Sequence, residues 1–152
     1  MKKFMLFLVA LLVVGAGAFG WYYLYGPCGT QQVARAGATF QPIIDDFSDA
    51  VDLANSTARG SLPDRISQLQ DIKSQAGEAQ VPACMNTSKT LLVKSMEATI
   101  DGFIAFMAEQ DDSTVSSFFS SANNYLTDAT NEMERVQACA PFCIEDPYRV
   151  IP

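Results

Sequence analysis

Histidine is absent from this 152-residue chain. Its absence removes His-ligated zinc and haem sites and every nucleophile triad built on an imidazole. Basic residues are scarce as well: 10 Lys+Arg stand against 17 Asp+Glu, for a formal charge of -7. Two of those ten are Lys2 and Lys3, so from Gly26 onward 8 bases face 17 acids, a net of -9. Neutralising phosphates requires a basic surface, and nucleic acid is therefore not expected as a partner. The chain also lacks G-x-x-x-x-G-K, G-x-G-x-x-G, H-E-x-x-H and C-x-x-C-H, the short motifs that would cradle phosphates or hold a metal or haem. A Ser–Lys dyad would dispense with histidine, but Gln70, Asn86 and Leu91 stand three residues before Lys73, Lys89 and Lys94, so no S-x-x-K is present. The expectation is a protein without a catalytic residue, cofactor or metal.

Charge is missing altogether from Phe4 to Leu24. As a helix this run rises about 30 Å, the hydrocarbon thickness of a bilayer. Lys2 and Lys3 before it keep the N-terminus in the cytoplasm, and Trp21, Tyr22, Tyr23 and Tyr25 suit the far interface. The sequence thus divides into a transmembrane anchor over 1–25, an extracytoplasmic domain over 26–143 and a tail over 144–152. A cleaved signal peptide is the rival for the first segment, although its apolar core would be unusually long and its small-residue stretch leads straight into the aromatic belt. A lipoprotein site at Cys28 fits poorly, with Pro27 before it and Tyr25 where a small aliphatic residue belongs. Gly15, Ala16, Gly17 and Gly20 crowd the outer half of the span, and small residues there let helices of other membrane subunits approach closely. Ordinary Gly and Ala usage in a span explains the same pattern.

Beyond Gly29 the apolar periodicity is helical, with no alternating strand run. A first helix is expected over about Pro42–Asn55, Pro42 sitting in its first turn and Ile43, Ile44, Phe47, Val51 and Ala54 forming its stripe. Thr30–Phe40 reads as a separate turn or helix, weakened by Gly37. Ser61 is placed to cap a second helix carrying Ile66, Leu69, Ile72 and Ala76, which Gly77 and Pro82 end. A third helix runs from Ala83 or Asn86 to Gln110. After the polar turn Asp111-Asp112-Ser113, a fourth carries Val115, Phe118 or Phe119, Ala122, Leu126, Ala129, Met133 and Val136. The fold class is all-α: a single transmembrane helix followed by an antiparallel four-helix bundle.

The four cysteines, Cys28, Cys84, Cys139 and Cys143, read as two disulfides in an oxidising compartment. Cys84 to Asp111 and Asp112 to Cys139 both span 27 positions, so the arms of the hairpin finish at one end of the bundle. Cys84 with Cys139 and Cys28 with Cys143 is the favoured pairing; Cys28 with Cys84 and Cys139 with Cys143 is the rival. A metal reading fails on spacing, because only Cys139 and Cys143 are close. Asp45, Asp46, Asp49 and Asp52 read as a solvated stripe rather than a calcium loop. Glu97 and Asp101, four apart, would share a proton only if they turned inward. Adjacent Phe118 and Phe119 cannot both face a core, and the two-proline tail cannot join a bundle as a helix. Phe118, Phe119, Tyr148, Val150 and Ile151 are therefore the expected partner contacts, with a frayed terminus the bland reading of the tail.

The order Phe47-Ser48-Asp49-Ala50, Leu53-Ala54-Asn55-Ser56-Thr57-Ala58-Arg59, Val81-Pro82-Ala83-Cys84 and Met96-Glu97-Ala98-Thr99-Ile100-Asp101-Gly102-Phe103 resembles small helical extracytoplasmic domains of green non-sulfur bacteria. The resemblance covers roughly residues 40–110 and carries no catalytic signature. It implies a helical bundle in organisms whose membranes hold electron-transfer assemblies with small single-span subunits. The functional expectation is a membrane-anchored accessory subunit of a larger membrane complex, for example one of the alternative complex III type. An extracytoplasmic ligand-binding or sensing domain is the alternative.

Overall fold

The computed structural model describes residues 20–21, 26 and 28–139. Among them the chain is all-α, with four long helices and no strand: α1 Thr30–Asn55, α2 Leu62–Glu78, α3 Asn86–Met107 and α4 Asp112–Cys139. Single 3-10 turns, Arg59–Ser61 and Ala83–Met85, lead into α2 and α3. None of these helices is long and apolar enough to cross a membrane. The run 4–24, on which the anchor is expected, lies outside the described residues except for Gly20 and Trp21.

α1 is longer than its sequence suggests, running through Gly37 and Pro42 as one 26-residue helix. Proline inside a helix removes one N–H donor and crowds the preceding turn, at about 3 kcal/mol or more. Tertiary packing outweighs that cost. Phe40 is buried before the proline, and Ile43, Ile44 and Phe47 pack on the core after it. The two sides of Pro42 are thus clamped against the same helices.

The turn after α3 combines two backbone devices. Glu109 adopts a left-handed φ of 54°, which allows Gln110 N–H to donate to Ala105 O and Glu109 N–H to Phe106 O, the double bond of a Schellman cap. Asp111 then caps α4: its carboxylate accepts from Thr114 N–H at 2.9 Å and from the Thr114 hydroxyl at 2.8 Å. A bond from the Ser113 hydroxyl, together with these two from Thr114, holds the Asp111 pKa down at about 2. Nearby, Arg59 on the 3-10 turn pairs with Glu109 and stacks over the Phe106 ring at 4.6 Å.

The core changes composition along the bundle. At the end holding the 111–112 turn it is made by three helices: Ala50 and Ala54 of α1, Leu62, Ile66, Leu69 and Ile72 of α2, Ile100 and Phe103 of α3. In the middle all four contribute, through Phe40, Ala76, Leu91, Leu92, Met96 and Ala129. At the opposite end Val33 and Ala36 of α1 meet Cys84, Met85 and Val136. α4 contributes to these clusters through its second half, Ala129 and Val136, while in its first half Ala122 is buried against α3.

Cys28 is bonded to Cys84, with Cα atoms 6.2 Å apart. This corrects the favoured pairing of Cys84 with Cys139 and matches the first bond of the rival. Equal hairpin arms locate the right end of the bundle but not the partner. α1 starts two residues after Cys28, and its first turns lay Val33 and Ala36 against Cys84, which brings Cys28 to the sulfur first. Cys139 is itself disulfide-bonded, to a residue outside the described ones.

Candidate functional site

Among the described residues, carboxylates gather only at open surface furrows: Asp46, Asp49 and Asp71 line one between α1 and α2, and Glu97 and Asp101 another. Asp45, Asp46, Asp49 and Asp52 are exposed on α1, with Gln41 donating to Asp45 at 2.9 Å. Glu97 is exposed and pairs with Lys73 at 3.5 Å across to α2, so it does not turn inward with Asp101. No described group of three His, Cys, Asp or Glu side chains is placed to hold a metal ion.

Three polar side chains are buried among the described residues. Ser95 donates to Ala122 O at 2.8 Å and joins α3 to α4. Glu132, 5% exposed, accepts from Arg135 Nε at 3.0 Å, so the guanidinium one turn on compensates the buried charge. The Ser88 hydroxyl, on a residue 2% exposed, has no hydrogen-bond partner.

The feature that stands out is the first half of α4. Its apolar residues repeat at alternating spacings of four and three: Val115, Phe119, Ala122, Leu126, Ala129, Met133 and Val136. The same stripe has two fates. Ala122, Ala129 and Val136 are buried, whereas Phe119 is 36% and Leu126 44% exposed. Between α1 and this half of α4 lies a groove of about 430 Å³, floored by α3 and lined by Val51, Asn55, Ser95, Thr99, Phe119, Ala122, Asn123 and Leu126. None of its lining residues is ionisable, and α4 carries no charge between Asp112 and Asp128. Depletion of charge together with exposed aromatic and aliphatic side chains is the composition of an interface centre.

Gly102 explains how α4 is held there. A Cβ at this position would come within 2.9 Å of the Phe119 ring, so α3 presents bare backbone where the ring lies. Phe119 meets Phe103 edge to face, centroids 5.5 Å apart. One edge of the ring is packed and the rest looks into the groove.

Of the expected contact residues, Phe119 lines this groove, while Phe118 is half-buried in a separate furrow with Lys94, Glu97, Asp101 and Tyr125. Tyr148, Val150 and Ile151 lie outside the described residues, as do Cys143 and, in the anchor, Gly15, Ala16 and Gly17. A Cβ at Gly20 would meet no described atom within 4 Å outside its own neighbours. Sequence reasoning puts Val51 and Leu126 on core stripes and does not identify them as contact residues. The signal available is the charge-free run Ser113–Thr127, unusual in so acidic a chain. Compared with known families, curated proteins and solved structures, the chain matches none of them.

Proposed function

We propose that this chain is a non-catalytic, membrane-anchored accessory subunit whose extracytoplasmic helical bundle docks on other membrane protein subunits. The observation that carries this reading is the pair of uncovered positions on the α4 stripe, Phe119 and Leu126, which border a groove free of ionisable groups. An apolar stripe that continues past its own core is what a missing neighbour leaves behind. The charge-free run Phe4–Leu24 after Lys2 and Lys3 supports an uncleaved anchor with the N-terminus inside. The Cys28–Cys84 bond supports an oxidising compartment for the domain, and Cys139 with Cys143 completes the pairing. In this reading Gly15, Ala16, Gly17 and Gly20 pack on a neighbour's helix within the bilayer. The resemblance to domains of green non-sulfur bacteria makes a photosynthetic or respiratory electron-transfer complex the first host to test. A ligand-binding role has less support, because the grooves at the described surface open to solvent rather than enclosing a cavity.

The test is to solubilise native membranes in mild detergent and purify the full chain through a tag after Pro152, beside a Leu126→Glu variant. Mass spectrometry should find the intact N-terminal peptide and a partner at fixed stoichiometry that the variant loses. A chain that runs alone, or a partner retained by the variant, overturns the reading.

A further inference from the structure

We infer that the groove between α1 and α4 receives a basic segment of a neighbouring protein subunit, whose apolar side chains enter the groove while its Lys or Arg side chains stand over acids on the banks. The inference rests on the reading of the groove as a docking surface and adds the chemistry of what docks there.

The centre of the groove sets the apolar part. Phe119 and Leu126 are the exposed large side chains beside it, and they stand seven residues apart, on one line of α4. The floor is neutral, because Ser95 and Thr99 of α3 line it and both hydroxyls already donate to backbone carbonyls, of Ala122 and of Ser95. The exposed amides of Asn55 and Asn123 complete the lining, so the groove offers a partner apolar contact and uncharged hydrogen-bonding groups.

The banks set the charge. Asp45 and Asp52, both exposed and seven residues apart on α1, flank on the solvent side the positions Val51 and Asn55 that turn to the groove. Asp112 and Glu134, both exposed, stand eleven residues to either side of Asn123, about three helical turns and therefore on its face of α4. Neither helix offers a base there, since 36–58 and 112–134 contain no Lys or Arg. Cations on the neighbouring elements are engaged elsewhere: Arg59 with Glu109, Lys73 with Glu97, and Lys94 over the Tyr125 ring in the furrow on the other flank of α4. An uncharged centre inside a rim of one sign calls for a partner rim of the opposite sign. A second copy packed antiparallel on this face would set Asp112 against Glu134 twice, and an anionic bilayer would be repelled as well.

A photo-crosslinking residue at position 126 of the full chain, irradiated in native membranes, tests this through the sequence of the peptide it joins. The expected product links position 126 to another protein at a segment carrying Lys or Arg. Its yield should fall at least about threefold when salt is raised from about 0.1 to about 1 M, and by a similar factor in an Asp45→Lys, Asp52→Lys variant at the lower salt. A link to a segment without bases, or a yield that salt or the variant leaves unchanged, overturns the basic partner and leaves the docking surface standing. A covalent dimer of the chain, a link within one molecule or no link at all overturns both.

Discussion

The two ends of the bundle are built on different principles. At the cysteine end a covalent bond joins Cys28 to Cys84, and α1, α4 and the 3-10 turn before α3 close over Val136, which is fully buried. At the other end α1, α2 and α3 make a core without α4, and the Arg59–Glu109 pair that ties the connections together is exposed. Exposed ion pairs contribute about 0–1 kcal/mol, whereas a disulfide contributes several. The covalent constraint sits at one end, and the larger three-helix core, with apolar surface of α4 left open beside it, at the other. A stapled foot lets the distal half of α4 lie as an outrigger on α3, available for contact without risk to the fold.

The sharpest way to break this comparison is to remove the staple. Closing a loop of sequence separation 56 should contribute about 4 kcal/mol in the chain-entropy account, so a Cys28→Ser, Cys84→Ser variant should lose about that much in denaturant unfolding. A loss under about 1 kcal/mol would mean the end is held by packing alone. Next in size is a matched pair of truncations. Leu69→Ala, at a side chain with 0% exposure, should cost about 3 kcal/mol, while Leu126→Ala should change stability by less than about 0.5 kcal/mol. Equal losses would show that α4 is part of the distal core after all. Gly102→Ala forces the Phe119 ring to move, and because that ring can swing toward solvent the cost should be only about 1 kcal/mol. Its signature is loss of Phe103–Phe119 contacts in NMR spectra, without change at the cysteine end.

Acid should reveal the Asp111 cap. The pKa of this carboxyl is lowered from 3.8 to about 2 in the folded chain, so its contribution is present above the unfolded value and is lost as pH falls through the folded one. Unfolding midpoints of the wild type and Asp111→Asn should therefore differ at neutral pH and converge as pH falls toward 2. A constant difference down to that pH would locate the cap elsewhere. Smallest of all, Ser88→Ala removes a buried hydroxyl that has no partner, and the expected result is no loss or a gain of under about 1 kcal/mol. A clear destabilisation would reveal a bond that this hydroxyl makes.

Much of this architecture is legible in the residues. Ile66, Leu69, Ile72 and Ala76 sit at helical spacing and are all buried, and the polar turn at 111–112 both caps α4 and reverses the chain. What is not legible depends on neighbours distant in sequence. Pro42 reads as a helix start because local chemistry disfavours it inside, and only the clamping of Phe40 and Ile43 against other helices overrides that preference. Cys84 has two candidate partners at one end, and the choice turns on how closely α1 follows Cys28. The α4 stripe has the same period throughout, so no periodicity separates Leu126, left open, from Val136, fully covered. That difference arises because α1 meets α4 at one end and not at the other.

The Cys28–Cys84 bond also settles how the domain carries mechanical load. Tension applied to the chain before Cys28 crosses the sulfur bridge to Cys84 and continues into α3, so the segment between the two cysteines is bypassed. α1 and α2 lie outside the line of force. A pull along the chain must first separate α3 from α4, which places the yield point of the molecule in that hairpin and leaves the pair α1 and α2 slack.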